Sequence, residues 1–453
     1  MPGILTRLIG GDLAALAADP LGEFVRRSRQ GGVVPLRIGL TRGHLVSDAA
    51  LVRHVLLDNI DNYDKHTPAF DAVRIVLGNG MLTSGGAFWK RQRRIAQPAF
   101  HGESVRHFAP IISRLASETA DEWERAAGRG ETVDACTDMM RVTLRIVAET
   151  LFGDDLAADA AEINRVFPTI LACLAARVTD PIRPPIWVPT ANNRRLRPAL
   201  ASLDSIVTRL IATKRRRLAA SDASQGGHRD LLTILMLARD AATGEAMSDA
   251  QLRDEVMTLM IAGHETTANA LAWLWYLLDR HPDEQERLRV ELVAATGGSA
   301  PTVEDLPNLP RMKAVIQETL RLYPPVWMFD RRALGPDDLG GTKVDKGDLV
   351  IFCPYAIHRL PELWPDPEAF RPERFEAGRE EQKNKFAYLP FSAGPRTCIG
   401  NSFAMIESQI IVGTLLSRFR ARLADPSPIT PQPRVTLRTS RPVILRLERT
   451  PLA

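Results

Sequence analysis

Apolar and polar positions alternate with period two across residues 32–47, where Val33-Val34-Pro35-Leu36-Arg37-Ile38 leads through Thr41-Arg42-Gly43 into His44-Leu45-Val46. Two short alternating runs around a glycine-bearing turn predict a β-hairpin. Beyond it the spacing of apolar residues becomes helical. Helices are predicted over 48–57, over two amphipathic stretches within 104–151 joined near Gly128-Arg129-Gly130, and over 162–176, 196–219 and 402–419. A cluster of Pro181, Pro184, Pro185 and Pro189 separates two of them, because proline lacks the N–H a helix needs. The Ser/Gly-bearing stretch 221–228 reads as a loop. Ser248 followed by Gln251 has capping-box spacing and opens a helix that runs to about residue 279. Pro282 begins another, ending at Gly297-Gly298, and a further one over 311–323 stops at Pro324-Pro325. Residues 344–352 read as one strand, and 435–438 with 443–447 as a hairpin across Thr439-Ser440.

The predicted fold is mainly α with a minor antiparallel β portion. It is expected as a single domain over 1–453, with a β-rich lobe at about 30–60, 340–352 and 430–448 and a helical body at about 65–335 and 400–420. Composition and charge narrow the classes. A net charge of +4 without a concentrated basic stripe argues against nucleic-acid binding. The run Lys214-Arg215-Arg216-Arg217 reads as a solvated helix end favoured by the dipole. Four scattered cysteines (Cys136, Cys173, Cys353, Cys398) exclude a disulfide scaffold and fit a reducing compartment. The longest apolar stretch, 256–278, approaches membrane-spanning length but carries His264, Glu265, Thr266 and Thr267 at its centre. It is therefore expected to be a buried helix lining a site, in a cytoplasmic protein with no membrane anchor.

The chemistry centres on Phe391-Ser392-Ala393-Gly394-Pro395-Arg396-Thr397-Cys398-Ile399-Gly400. A cysteine just before a helix gains help in staying a thiolate from unpaired N–H groups and the dipole. Gly394 permits a tight turn, Gly400 a close backbone approach, and Arg396 can pair with a carboxylate. A buried structural cysteine is the competing reading. The segment resembles the haem-ligand loop of the cytochrome P-450 family of haem-thiolate monooxygenases, with every fixed position filled. Ser392 stands where many members have glycine. The resemblance implies the P-450 fold with a long central helix over haem, Cys398 as axial ligand of haem b, and Phe391, Arg396 and Gly400 as cofactor-binding positions.

Three further elements carry the resemblance. Ala262-Gly263-His264-Glu265-Thr266 matches the oxygen-activation motif, which implies Glu265 as the acid of a proton relay and Thr266 as its hydroxyl, with Ala262 and Gly263 against the cofactor. Glycine in a helix costs about 0.5–1 kcal/mol, and it is read here as clearing room for a flat ligand. A helix–helix contact through small residues is the alternative. Glu318-Thr319-Leu320-Arg321, with Arg374 from Phe370-Arg371-Pro372-Glu373-Arg374-Phe375, resembles the family's structural ion network behind the cysteine loop. Trp89 and Arg93, one helical turn apart, resemble its propionate donors, and Arg331 is favoured over Arg332 as another. Tyr63-Asp64-Lys65 and His358-Arg359 extend the likeness.

The implied reaction inserts one oxygen atom of O₂ into a hydrophobic small molecule. A fatty acid, terpenoid or polyketide-like compound is expected against Phe70, Val76, Leu259, Val326, Phe329 and Leu437. The chain has no dinucleotide fingerprint and no iron–sulfur cysteine cluster. Electrons are therefore expected from a ferredoxin with its reductase, or from a flavodoxin, landing on a basic patch of Lys90, Arg91 and Arg94 on a monomeric enzyme. Retention of Glu265-Thr266 speaks against a peroxide-using or isomerising haem-thiolate enzyme. It also speaks against a haem-binding sensor without turnover.

Overall fold

A computed structural model describes residues 12–38, 41–153, 159–179, 184–220, 230–376 and 384–450. Pro181 and the predicted loop 221–228 lie outside them. The chain divides into two compact units: Met1–Thr67, Ala116–Met139 and Thr266–Ala453 form the first, Pro68–Leu115 and Met140–Glu265 the second.

The first unit holds the sheets. Its five-stranded sheet runs, in spatial order, Val33–Ile38, Thr41–Val46, Leu349–Phe352, Phe329–Ala333, Tyr63–Asp64. The first two strands form the expected hairpin, Val33 opposite Val46. Thr41–Val46 then pairs with Leu349–Phe352 in parallel, so the sheet is mixed rather than antiparallel throughout. His44 Nε2 and Asp348 Oδ2, 304 positions apart, are hydrogen-bonded at 2.9 Å beside this junction. Leu349 and Ile351 pack with Leu36 and Leu45 on one face, and Val350 and Phe352 with Val46 and Tyr63 on the other. A strand buried on both faces explains why Leu349-Val350-Ile351-Phe352 is an unbroken apolar run.

Three β expectations change. Residues 344–352 are not one strand. Thr342–Val344 ends in a turn whose Gly347 has φ +93°, and Leu349–Phe352 follows in a different sheet. The predicted C-terminal hairpin does not form: Leu437–Thr439 pairs with Pro431–Pro433, while Ile444–Arg449 pairs with Phe419–Leu423 and Val133–Asp134. Strands Phe329–Ala333, Val133–Asp134 and Phe419–Leu423 also fall outside the expected β lobe.

The helices follow their signals closely. Ser248 N–H donates to Gln251 Oε1 at 2.7 Å and Gln251 N–H to Ser248 Oγ at 3.2 Å, closing the box that opens Asp249–Arg280. Pro282–Thr296 ends on Gly297 at φ +63°, a left-handed cap that glycine adopts without strain. Ala160–Thr179 and Ala191–Ala220 begin before their predicted starts, and both contain an internal proline, Pro168 and Pro198. The second unit is otherwise helical, with Pro68–Leu77, Gly86–Ala96 and Leu231–Leu237 among its members. Among the described residues no helix is long and apolar enough to cross a membrane.

Candidate active site

The cysteine loop of the first unit is shaped by two left-handed residues. Gly394 sits at φ +69°, and a Cβ there would lie 2.1 Å from the Leu56 carbonyl oxygen, so both conformation and contact require glycine. Ser392 adopts φ +60°, which explains why glycine suits that position elsewhere. Cys398 N–H donates to Phe391 O at 2.9 Å, closing the loop around a 3₁₀ turn at Gly394–Arg396. Gly400 caps helix Asn401–Arg418, and the Cys398 side chain remains solvent-accessible, unlike buried Cys173 and Cys353. That removes the reading of Cys398 as a buried packing residue.

Behind the loop, Arg321 donates Nε to Glu318 Oε2 at 2.7 Å and Nη2 to Glu318 Oε1 at 2.8 Å. Its other N–H groups reach the carbonyls of His358 (2.8 Å), Pro367 (2.7 Å) and Ala369 (3.0 Å). Arg371 N–H adds a bond to Glu318 Oε1 at 2.8 Å, and Arg374 Nε lies 3.4 Å from the same oxygen. Glu318, Arg321 and Arg374 are thus brought together, all buried. His358 continues the network: its Nδ1–H donates to Arg321 O at 3.0 Å, and its Nε2 accepts from Leu389 N–H at 2.8 Å, two residues before Phe391. Burial above all, then the Arg321 and Arg359 charges, depress the His358 pKa to about 3, against the pull of its bond to Arg321 O. It is therefore a neutral ring with a fixed tautomer.

Three cations gather beside Cys398. Arg331 is buried, with Nη1 donating to Asp330 O at 2.7 Å and its guanidinium 5.3 Å from the Phe329 ring. Burial lowers its pKa to about 10, against the Asp330 and Asp64 charges. Arg396 is lowered to about 9 by burial and then by Arg331, against Asp64. Lys65, also buried, is pushed well below the usual lysine range by burial, Arg331 and Arg396, while Asp330 and Cys398 act the other way. Thr67 Oγ1 donates to Asp330 Oδ1 at 2.9 Å, tying the Lys65 segment to strand Phe329–Ala333. Arg331, not Arg332, belongs to this group. Sequence reasoning missed Lys65 as a site residue, although Tyr63-Asp64-Lys65 was the signal. Clustered, partly desolvated cations around an accessible thiol call for an anionic partner, and the donor set fits an iron porphyrin with its two propionates.

In the second unit Trp89 is buried and Arg93 half-buried on helix Gly86–Ala96, one turn apart. The central helix Asp249–Arg280 is almost fully buried through its middle. Between Glu255 and Trp275 only Leu259, Ala262, Gly263 and Thr266 keep partial exposure, a 3–4 spacing that defines one open stripe. Glu265 is buried. The reading of Gly263 as clearing room for a ligand needs correction: a Cβ there would meet Val147 Cγ2 at 3.1 Å, so its small size serves packing against helix Ala135–Phe152.

Of the apolar pocket candidates, Phe70 and Leu259 are half-buried and Val76 is fully buried in the second unit. In the first, Val326 is exposed, Phe329 stacks on Phe352 with centroids 5.1 Å apart, and Leu437 is fully buried with its N–H on Pro325 O at 2.9 Å. Val76 and Leu437 therefore sit as core residues. The basic landing patch is largely neutralised. Arg94 is bidentate to Asp240 at 3.0 and 2.8 Å, and Arg91 pairs with Glu245. Lys214 pairs with Asp230 in a largely buried position and Arg215 with Asp249 at the surface, so this basic run is packed at Lys214 rather than solvated throughout.

The family model described as Cytochrome P450 matches residues 14–446. The chain is 36% identical to cyclooctat-9-en-7-ol 5-monooxygenase of Streptomyces melanosporofaciens over 416 residues, covering 91% of this chain and 87% of that protein. It is 32% identical to pentalenene oxygenase of Streptomyces avermitilis, covering 95% and 94%. The crystal structure of the cytochrome P450DA haem domain superimposes with a TM-score of 0.85 at 26% identity, over 99% of this chain and 96% of that one. The chain belongs to the cytochrome P450 family and is a monooxygenase built for a haem-thiolate cofactor.

Proposed function

We propose that Cys398 would supply the thiolate ligand of haem b, that Arg331, Arg396 and Lys65 would hold its propionates, and that Trp89 and Arg93 would serve as further N–H donors. The observation that carries this is the grouping of buried Lys65 and Arg331 with Arg396 beside an accessible Cys398. When bound, the haem supplies oxygen–oxygen cleavage favoured by electron donation from the thiolate. Glu265 would supply the carboxyl and Thr266 the hydroxyl of a proton relay. The Glu318–Arg321–Arg374 network keeps the cysteine loop in place. The reaction is RH + O₂ + 2e⁻ + 2H⁺ → ROH + H₂O, with a cyclic terpenoid as RH. The names of the Streptomyces relatives and the apolar character of Phe70, Leu259 and Val326 support that substrate class. Electrons come from a separate ferredoxin or flavodoxin, and the enzyme acts as a cytoplasmic monomer.

The test is the reduced, carbon-monoxide-bound spectrum of the wild type and of Cys398→Ser. It is followed by turnover of a terpenoid and fatty-acid panel with a surrogate ferredoxin system and, separately, with peroxide. The wild type should show a thiolate-type band that Cys398→Ser lacks, and ferredoxin-dependent hydroxylation of a terpenoid. A band that survives in the variant removes Cys398 as ligand. Turnover with peroxide alone moves the chain to the peroxide-using class.

A further inference from the structure

The turn that follows helix Pro68–Leu77 is held by the side chains of consecutive residues of the central helix. Asp254 Oδ2 accepts from Asn79 N–H at 2.7 Å, and Glu255 Oε2 accepts from Met81 N–H at 3.1 Å. Arg253 Nη1 donates to Val76 O at 3.3 Å and to Asp254 Oδ1 at 2.9 Å, while its Nε donates to Asp204 Oδ1 at 2.5 Å. The turn itself is cut to fit. Gly78 lies at φ +60°, and a Cβ there would fall 2.1 Å from Asp254 Oδ1. At Gly80 a Cβ would fall 2.3 Å from Thr258 Oγ1 and 2.7 Å from the Asp254 carbonyl oxygen. Thr83 Oγ1 closes the turn on Gly78 O at 2.8 Å, and Arg74 Nη2 ties down Thr83 O at 2.7 Å. Backbone N–H groups at a bend are thus satisfied by helix carboxylates rather than by water.

The two carboxylates are unequal. Asp254 is half-buried beside the Arg253 guanidinium. Glu255 is 1% exposed, with Met81 N–H as its hydrogen-bond donor and Asp254 as the charge acting on it. Burial first, opposed by the Met81 N–H and reinforced by Asp254, raises its pKa from 4.5 to about 7.

We propose that Asp254 and Glu255 are positioning residues that latch the 78–83 turn onto the central helix, and that ionisation of Glu255 loosens the latch, so that the turn opens more readily as pH rises. The direction follows from linkage. The closed state binds the Glu255 proton more tightly than an open state in which water reaches the carboxyl, so losing that proton favours opening. With an open-state value near 4.5, the opening equilibrium rises about tenfold between about pH 6 and about pH 8. Val76 is tied to Arg253, and Leu259 lies one helical turn beyond Glu255. The latch therefore controls ligand entry, a consequence that rests on the reading of partly exposed Leu259 as a substrate-side residue.

The experiment measures amide hydrogen exchange of Asn79 and Met81 in the holoenzyme at about pH 6 and about pH 8, corrected for intrinsic exchange, together with the association rate of phenylimidazole at both pH values. The wild type should show about a tenfold rise in Met81 exchange. Glu255→Gln should abolish that rise while keeping the acceptor. Asp254→Asn should speed Asn79 exchange at both pH values and move the Met81 transition to lower pH. A pH-independent Met81 amide in the wild type, or an undiminished rise in Glu255→Gln, overturns the proposal, and the first measurement needs no variant to fold. A rise in exchange with unchanged phenylimidazole association upholds the latch and overturns the substrate-side reading of this face.

Discussion

Replacing Arg321 with leucine removes five hydrogen bonds from a fully buried site. Two were to the Glu318 carboxylate and three to the carbonyls of His358, Pro367 and Ala369. Breaking a buried ion pair by deleting one partner costs about 3–5 kcal/mol. Each buried carbonyl left without a donor adds about 1–3 kcal/mol where water cannot reach it. Two groups soften the loss, because Arg371 N–H still bonds Glu318 at 2.8 Å and Arg374 lies 3.4 Å away. About 5 kcal/mol is therefore the expected destabilisation, comparable to the whole stability of a marginal protein, about 5–15 kcal/mol. Urea unfolding followed by tryptophan fluorescence measures it directly, since Trp364 lies 5.4 Å from the Arg321 guanidinium. Haem bound per chain gives the functional readout, because the network reaches the cysteine loop through His358 and Leu389. Arg321→Lys keeps the charge but not the planar fork, and should fall between the two. An Arg321→Leu protein within about 1 kcal/mol of wild type, with full haem content, would refute the argument from buried desolvation.

Ser392→Gly should raise stability by about 1 kcal/mol, because φ +60° strains serine and not glycine; a lower urea midpoint would show that the serine side chain contributes more than the strain costs. His358 supplies a pH dependence. Its folded value of about 3 lies below the unfolded 6.5, so the unfolded chain binds the extra proton between them. Its contribution is complete above about pH 6.5 and is lost as pH falls toward about 3, by at most about 1.4 kcal/mol per pH unit. Urea midpoints between about pH 7 and about pH 5 should fall less steeply in His358→Gln than in the wild type. Glu318→Gln should lower haem content less than Arg321→Leu, since it removes the charge but leaves an acceptor for the Arg321 fork.

Features decided within a few residues were legible in the sequence. The Ser248–Gln251 box and the Gly297 cap are local devices whose partners lie within one or two turns. The cysteine loop was legible because its glycine is forced by a φ of +69° and a close carbonyl. Strand pairing was not. The 435–438 run offers a plausible turn into 443–447, but the strand that forms, Leu437–Thr439, pairs with Pro431–Pro433, a segment whose prolines disguise it as loop. The parallel partner of Thr41–Val46 lies some three hundred positions away, beyond any periodicity argument. At the site, charge placement was half-readable. Arg331 and Arg396 stand beside recognisable motifs, whereas Lys65 joins their cluster through the fold, with Thr67 two residues on bonded to Asp330. The neighbour that requires a small residue at Gly263, Val147, comes from a different helix, which spacing along the chain does not reveal.

The parallel pairing of Thr41–Val46 with Leu349–Phe352 has a temporal consequence. His44 and Asp348 are 304 positions apart. At translation rates of about 5–20 residues per second, the N-terminal hairpin waits roughly 15–60 s for its central strand. Throughout that interval the edge of Thr41–Val46 offers unpaired N–H and C=O groups to any passing chain. The cysteine loop, about 50 residues further on, emerges later still, so nascent chains must be kept from aggregating before a haem site exists at all. Co-expression of chaperones and slowed synthesis should raise the yield of the holoprotein more than added haem precursor does.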